Sequence, residues 1–217
     1  MSEARKSNIE HWKKLQDGMY FENHPCYKGI TDFGNQEAVD AINMFMKLDS
    51  NMNVVVIGCG YGRESLGLAP LVRNIYGIDV NQTILEKAVS YLNSHGVTNF
   101  IPIEAEKFVE LIPTGQDLVF SIVVMQHLTR DLVRNYFLEL GKKLNPGGHV
   151  IVQFLDTDDG SYHADAPNQT VEPSISWSPW QLVQLARYSG LKFETIRTQL
   201  VTEKALWHWV HFTKLSL

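Results

Sequence analysis

A chain of 217 residues with 44% apolar and 20% charged side chains has the material for one buried sheet with covering helices, and its composition excludes a disordered protein. Its 19 basic against 24 acidic residues give a net charge of -5 with no basic run, which argues against a phosphate-tracking surface and predicts that nucleic acid is not the substrate. Two cysteines, Cys26 and Cys59, an N-terminus without an apolar core and no apolar stretch long enough to span a bilayer predict a cytoplasmic protein with no structural disulfide and no membrane anchor.

In chain order, a helix is predicted over 3–15, followed by a loop rich in Tyr, His, Gly and Pro over 18–34. Ala38, Val39, Ile42, Phe45 and Met46 then share one helical face. From residue 53 the pattern alternates as strand 53–57, helix 61–71, strand 72–78 and helix 81–94, the order of βαβ units. Ile84, Leu85, Ala88, Val89 and Leu92 recur at helical spacing, with Asn81 as the cap and Gly96 just past the end. A strand over 99–103 precedes one over 117–124 that is apolar on both faces, as a central parallel strand is. Thr129 caps a helix carrying Leu132, Val133, Tyr136, Phe137 and Leu140, which stops at Asn145-Pro146-Gly147-Gly148 before a strand over 149–154. Residues 156–177 are polar and long for a connection inside a compact domain, so they are expected to form a substrate loop or lid. Ser178 and Gln181 make a capping box with Pro179 at the first helical position, Gly190 ends that helix, and strands over 192–198 and 206–213 close the pattern.

The chemistry concentrates where the first strand runs into Gly58-Cys59-Gly60-Tyr61-Gly62. Glycines at alternate positions supply positive φ and remove side chains that would keep a ligand from the backbone, and the helix that follows offers unpaired N–H groups. A dinucleotide fingerprint would need glycine at 63, where Arg63 stands, so a nicotinamide cofactor is disfavoured; a glycine turn without a ligand is the bland alternative. Seventeen residues beyond Gly62, at the end of the second strand, Asp79 is placed to accept both hydroxyls of a ribose, with a helix-cap role as the alternative. His127, a few residues past the fourth strand, is a candidate general base, or a packing residue. Tyr20, Tyr27, Tyr162 and Trp177, with Trp12, His163 and Trp180, are candidates to cover the ligand or stack on a flat acceptor, or simply to pack. Asp156, Asp158 and Asp159 are the dense acids near a strand end; a solvated loop start is preferred to a cation site, and His208 and His211, three apart in a strand, face opposite ways and form no ligand pair.

Over about residues 53–154 the sequence resembles the class I S-adenosylmethionine-dependent methyltransferases. The glycine loop is similar to their first motif, Asp79 to their ribose-binding acid, and Glu104-Ala105 to their acidic-Ala pair at the adenine amino group; the strand 117–121 through Gln126-His127-Leu128, and Leu144 to Gly148, resemble their fourth strand and the turn before their fifth. The resemblance implies an α/β Rossmann-like fold of three layers, with helices on both faces of a seven-stranded, mostly parallel sheet in the order 3-2-1-4-5-7-6, the last strand antiparallel. It also implies one methyltransferase domain over 1–217, with a helical cap over 1–50, a donor-binding core over 51–154 and a substrate loop over 155–180. S-adenosylmethionine is then the expected cofactor and S-adenosylhomocysteine the product, held by Gly58, Gly60, Gly62, Asp79, Val80, Glu104, Ala105 and Ile122.

Three departures refine the expectation. Val56 stands where many members carry an acid that helps hold the methionine amino group. Ile122 stands where cation-dependent members place an acid, so no metal is expected. The Asn/Asp-Pro-Pro-aromatic run of amino-directed nucleic-acid methyltransferases does not follow the fourth strand, and the Pro25-Cys26 pair precedes the glycine loop rather than marking a cytosine-C5 nucleophile. The expected reaction is direct displacement by a small-molecule acceptor, on oxygen of a sugar or natural-product intermediate with His127 as base. A small amine as acceptor and a noncatalytic donor-binding regulator are the alternatives.

Overall fold

The computed structural model describes residues 3–23, 35–162 and 174–216. Among the described residues seven strands form one sheet, in the order 3-2-1-4-5-7-6 by their place in the chain, the order the family resemblance implied. By internal contacts the chain falls into two compact units, one of residues 9–113 and one of residues 1–8 with 114–217.

In the 9–113 unit most of α1 (Glu3–Asp17) and a short α2 (Tyr20–Asn23) lead to α3 (Asn35–Asn43). Ala38, Val39 and Ile42 of α3 are buried, as their shared face predicted. β1 (Asn53–Ile57), β2 (Asn74–Asp79) and β3 (Phe100–Glu104) pair in parallel, with α4 (Arg63–Leu68) and α5 (Gln82–Ser94) as crossovers. The Asn81 side chain accepts the Thr83 N–H and starts α5, whose Ile84, Leu85, Ala88 and Leu92 are buried. A short α6 (Phe108–Leu111) follows β3.

In the other unit β4 (Gln116–Ser121) is buried on both faces, and α7 (Arg130–Lys143) is capped by Thr129. β5 (Leu144–Thr157) is longer than the pattern 149–154 indicated. Residues 145–148 do not end the pairing but bulge out of it: Gln116 pairs with Leu144 and Leu118 with His149, while Asn145 Nδ2 donates to Asp117 Oδ1 at 2.7 Å and Gly147 takes φ 75°. α8 (Pro179–Ser189) carries the full Ser178–Gln181 capping box and ends on Gly190 in the left-handed region. β6 (Leu191–Thr202) and β7 (Ala205–Lys214) form a hairpin whose pairing continues to Thr202 and Ala205. The outer half of β6 is exposed, so its backbone ladder outruns any apolar pattern and periodicity stops short of it. β7 is antiparallel to β5, and Phe137, Phe154, Phe212 and Trp177 pack the core on this side.

Candidate active site

Of the residues expected to hold the donor, all but Ile122 belong to the 9–113 unit. Past β1 the chain turns through Gly58, Gly60 and Gly62 at φ 68°, 49° and 86°, backbone that L side chains resist. The N–H groups of Gly58 and Cys59 both donate to the Ile78 carbonyl, at 2.8 and 2.9 Å, folding the loop onto the end of β2. Two of the glycines answer to different neighbours. A Cβ on Gly62 would lie 2.8 Å from the Leu92 Cδ1 of α5, so this position is closed by helix packing, whereas one on Gly60 would lie 3.2 Å from the Phe21 ring.

Asp79 is buried at the end of β2. Its Oδ2 accepts the Gly60 N–H at 3.0 Å, and its Oδ1 accepts Gln16 Nε2 at 3.1 Å and the Asn81 N–H at 3.3 Å. Burial pushes the carboxyl above the usual aspartate range, and these donors, with the Val80 backbone, pull it back. Because Asn81 caps α5, the helix-cap alternative for Asp79 is not what the structure uses. Glu104 pairs in register with Asp79, and the Ala105 N–H donates to the Asp79 carbonyl at 2.9 Å. Gly60, Asp79, Val80, Glu104 and Ala105 thus share the carboxyl ends of neighbouring parallel strands, where open α/β sheets bind ligands.

The N-terminal helices contribute residues that the motif reading passed over. Ile9, Trp12 and Gln16 form the buried stripe of α1, and the amide in this stripe reaches Asp79. A carboxylate only accepts hydrogen bonds, so the amide nitrogen must face it. Gln16 Oε1 is then left buried without a partner among the described residues, an arrangement that costs about 1–3 kcal/mol until a donor arrives. Tyr20 meets Trp12 edge-on at 5.6 Å, and Phe21 stands 4.9 Å from Tyr61 of the glycine loop. The Tyr61 hydroxyl donates to Glu22, while Lys87 Nζ donates to both at 2.9 Å, tying α2 to the loop and to α5. The one polar signal available in the sequence was a glutamine at the i+7 position of an apolar stripe. Val56 is buried at 1% exposure and offers no acid, whereas Glu64, also passed over, is a buried carboxylate paired with Arg63 at 2.5 Å.

In the 114–217 unit the chain leaves β4 through Ile122, which is buried, and Val123 at φ 55°, a strained position held by Gln153 Oε1 accepting the Val123 N–H at 3.0 Å. A 3₁₀ turn over Met125–His127 follows. His127 is 7% exposed; its carbonyl accepts Asn8 Nδ2 at 3.0 Å, and its Nδ1 lies 3.2 Å from Ser174 Oγ, which orients the ring. A cavity of about 610 Å³ lies here, lined among others by Gln126, His127, Thr157, Tyr162, Ser174 and Lys204. Tyr162 and His127 thus line the same cavity.

Trp177 corrects the aromatic reading. It is 2% exposed, packed 5.3 Å from Phe154 with the Arg130 guanidinium over its ring, so it is a core residue and not part of an acceptor surface. Tyr20 packs within the donor-side unit, and Tyr27, His163 and Cys26 lie outside the described residues. Asp156 is engaged by His208 Nε2 at 3.0 Å and by Ser176 Oγ at 3.1 Å, the bonds of a structural carboxylate. Lys204 was missed because it sits at the tip of a hairpin longer than its apolar pattern, although the polar Glu203-Lys204 pair between two strand-like runs marks the turn.

A family model described as a methyltransferase domain matches residues 55–152, the stretch from β1 to β5 that contains the glycine loop, Asp79, Glu104 and His127. The chain carries a class I methyltransferase domain. Similar proteins include a ubiquinone biosynthesis O-methyltransferase of Rickettsia canadensis, 25% identical over 168 residues that span 72% of this chain and 66% of that one. They also include an N-terminal Xaa-Pro-Lys N-methyltransferase 1 of Xenopus tropicalis, 26% identical over 165 residues covering 75% of this chain and 71% of the relative. A solved magnesium protoporphyrin IX methyltransferase from Synechocystis with bound S-adenosylhomocysteine superposes with a TM-score of 0.69 at 13% identity, over 95% of this chain and 99% of that one. The methyltransferase uses S-adenosylmethionine as its donor, and three features around the glycine loop suit a nucleoside: the positive-φ backbone at Gly60, the buried carboxylate of Asp79 and the Gln16 Oε1 that has no partner among the described residues. No helix among the described residues is long and apolar enough to cross a membrane.

Proposed function

We propose that this methyltransferase acts on a hydroxyl oxygen of a small-molecule acceptor, with His127 as the general base. The observation that carries the reading is the cavity of about 610 Å³ in which a buried, Ser174-oriented imidazole stands among Gln126, Tyr162 and Lys204. Such a volume suits a small metabolite. When bound, S-adenosylmethionine supplies an electrophilic sulfonium methyl, with S-adenosylhomocysteine as the leaving product. Gly58, Gly60, Asp79, Val80, Glu104 and Ala105 hold and orient the donor's nucleoside, with Gly62 shaping the loop and Ile122 at the exit of β4. The cavity aligns the acceptor, so positioning supplies much of the rate. As the acceptor oxygen forms its bond to carbon, its proton passes to His127 Nε2, while Ser174 steadies the ring through Nδ1. The resemblance to an O-methyltransferase supports oxygen as the target, and the resemblance to an N-methyltransferase supports an amine as the second reading. A neutral amine needs no base before attack.

Screening metabolite pools with methyl-labelled donor identifies the acceptor, and His127→Gln then separates the readings. For an oxygen acceptor, turnover should fall by about 10² to 10⁴ with donor affinity unchanged, and the acid limb of the wild-type pH–rate profile should disappear. Retention of more than about a tenth of wild-type turnover at saturating acceptor would remove His127 from the base role, because an amide cannot take the proton.

A further inference from the structure

We infer that Gln16 is itself a ligand of the donor's ribose, its Oε1 accepting one of the vicinal hydroxyls while Asp79 accepts the other. The inference rests on the reading of Asp79 as the ribose acid. Oδ1 of Asp79 already receives Gln16 Nε2 at 3.1 Å and the Asn81 N–H at 3.3 Å, and Oδ2 receives the Gly60 N–H at 3.0 Å. A carboxylate oxygen offers about two lone-pair sites, so Oδ1 is filled by the protein and the carboxylate cannot take both hydroxyls of a diol without giving up one of these bonds. An acceptor is available beside it. Gln16 Oε1 belongs to a residue 7% exposed, is held adjacent to Asp79 by the amide's own donation, and has no partner among the described residues. A ribose hydroxyl donating to it satisfies that oxygen and leaves the three bonds to Asp79 in place. The pair then presents one anionic and one neutral acceptor to adjacent hydroxyls, and α1 becomes part of the binding site.

Calorimetric binding of S-adenosylhomocysteine and of its 2′-deoxy and 3′-deoxy analogues to the whole protein tests this without turnover. Gln16→Met and Gln16→Leu place apolar side chains in the stripe of Ile9 and Trp12, so both variants should fold, which circular-dichroism melting checks. Each should weaken S-adenosylhomocysteine by about three- to tenfold, the range of one lost hydrogen bond. Against one of the two deoxy analogues the variants should bind as wild type does, because the hydroxyl that Gln16 serves is absent. An equal loss for all three ligands would assign Gln16 a structural role only, and unchanged or tighter binding would show an amide that competes with the ribose; both overturn the inference. Asp79→Ala serves as the reference: if it binds S-adenosylhomocysteine as wild type does, the ribose reading itself falls, and if it alone loses affinity, only the inference about Gln16 falls.

Discussion

Gly60 and Gly62 look alike in the sequence and differ in what they serve. Both take positive φ, yet an added side chain at 62 collides with Leu92, while at 60 it meets the edge of the Phe21 ring. Gly62→Ala should therefore act mainly on stability, through α5. Gly60→Val should abolish measurable donor binding while the protein remains folded, since a branched side chain at φ 49° both strains the loop and fills the approach to the backbone. Titration calorimetry with a parallel thermal melt reads both effects. Donor affinity within about threefold of wild type in a folded Gly60→Val protein would remove the loop from the donor site, since removal of a contact of this kind changes affinity by more.

At the scale of elements, the donor end depends on how closely β2 lets its neighbours approach. Gly77 has ordinary backbone, but a Cβ there would lie 2.3 Å from Phe100 Cε2 and 3.0 Å from Cys59 Sγ, so the glycine makes room for β3 and for the loop at once. Gly77→Ala should destabilise the protein by about 1–3 kcal/mol through overpacking. In a Phe100→Ala background the cost should fall sharply, because the side chain that is struck has gone; denaturant unfolding of the double-mutant cycle measures the coupling. A cost that is the same in both backgrounds would mean that Phe100 is not what holds position 77 to glycine. The hairpin of β6 and β7 teaches a related lesson about elements: its pairing, not its apolar content, carries Lys204 to the cavity.

For the whole molecule, acid sensitivity should come in part from a pair of imidazoles in the 114–217 unit. His149 Nδ1 and His211 Nε2 are 2.9 Å apart with the rings stacked. Burial, and then the neighbouring His149, push His211 down to about 4, and burial lowers His149 as well. Between this depressed value and the ordinary histidine value near 6.5 the unfolded chain binds more protons than the folded one. The contribution to stability is thus fully present above about pH 6.5 and is lost as pH falls towards 4. Melting temperature should drop over that window, and His211→Gln should flatten the drop relative to wild type. An identical pH slope in the variant would locate the acid sensitivity elsewhere.

What the sequence determined by itself is whatever depends on local periodicity and on residues close together in the chain: the alternation of strands and helices, the caps at Asn81, Thr129 and Ser178, the glycine turn, and Asp79 at a strand end. Those features led to βαβ units in a parallel sheet and to a ligand at its carboxyl edge, because a βαβ unit brings its glycine turn and its strand-end acid together by its own geometry, while the strand order and the donor followed from the resemblance to the methyltransferase family. Long-range packing decided the rest. Only the tertiary structure shows that Trp177 is swallowed by the core against Phe154, that Gly62 and Gly77 are glycines on account of Leu92 and Phe100, and that Asp156 is spoken for by His208. The same holds for Gln16, which meets Asp79 across 63 positions of sequence. A side chain's partner at that separation is set by how helices dock on a sheet, and no pattern of period 2 or 3.6 encodes it.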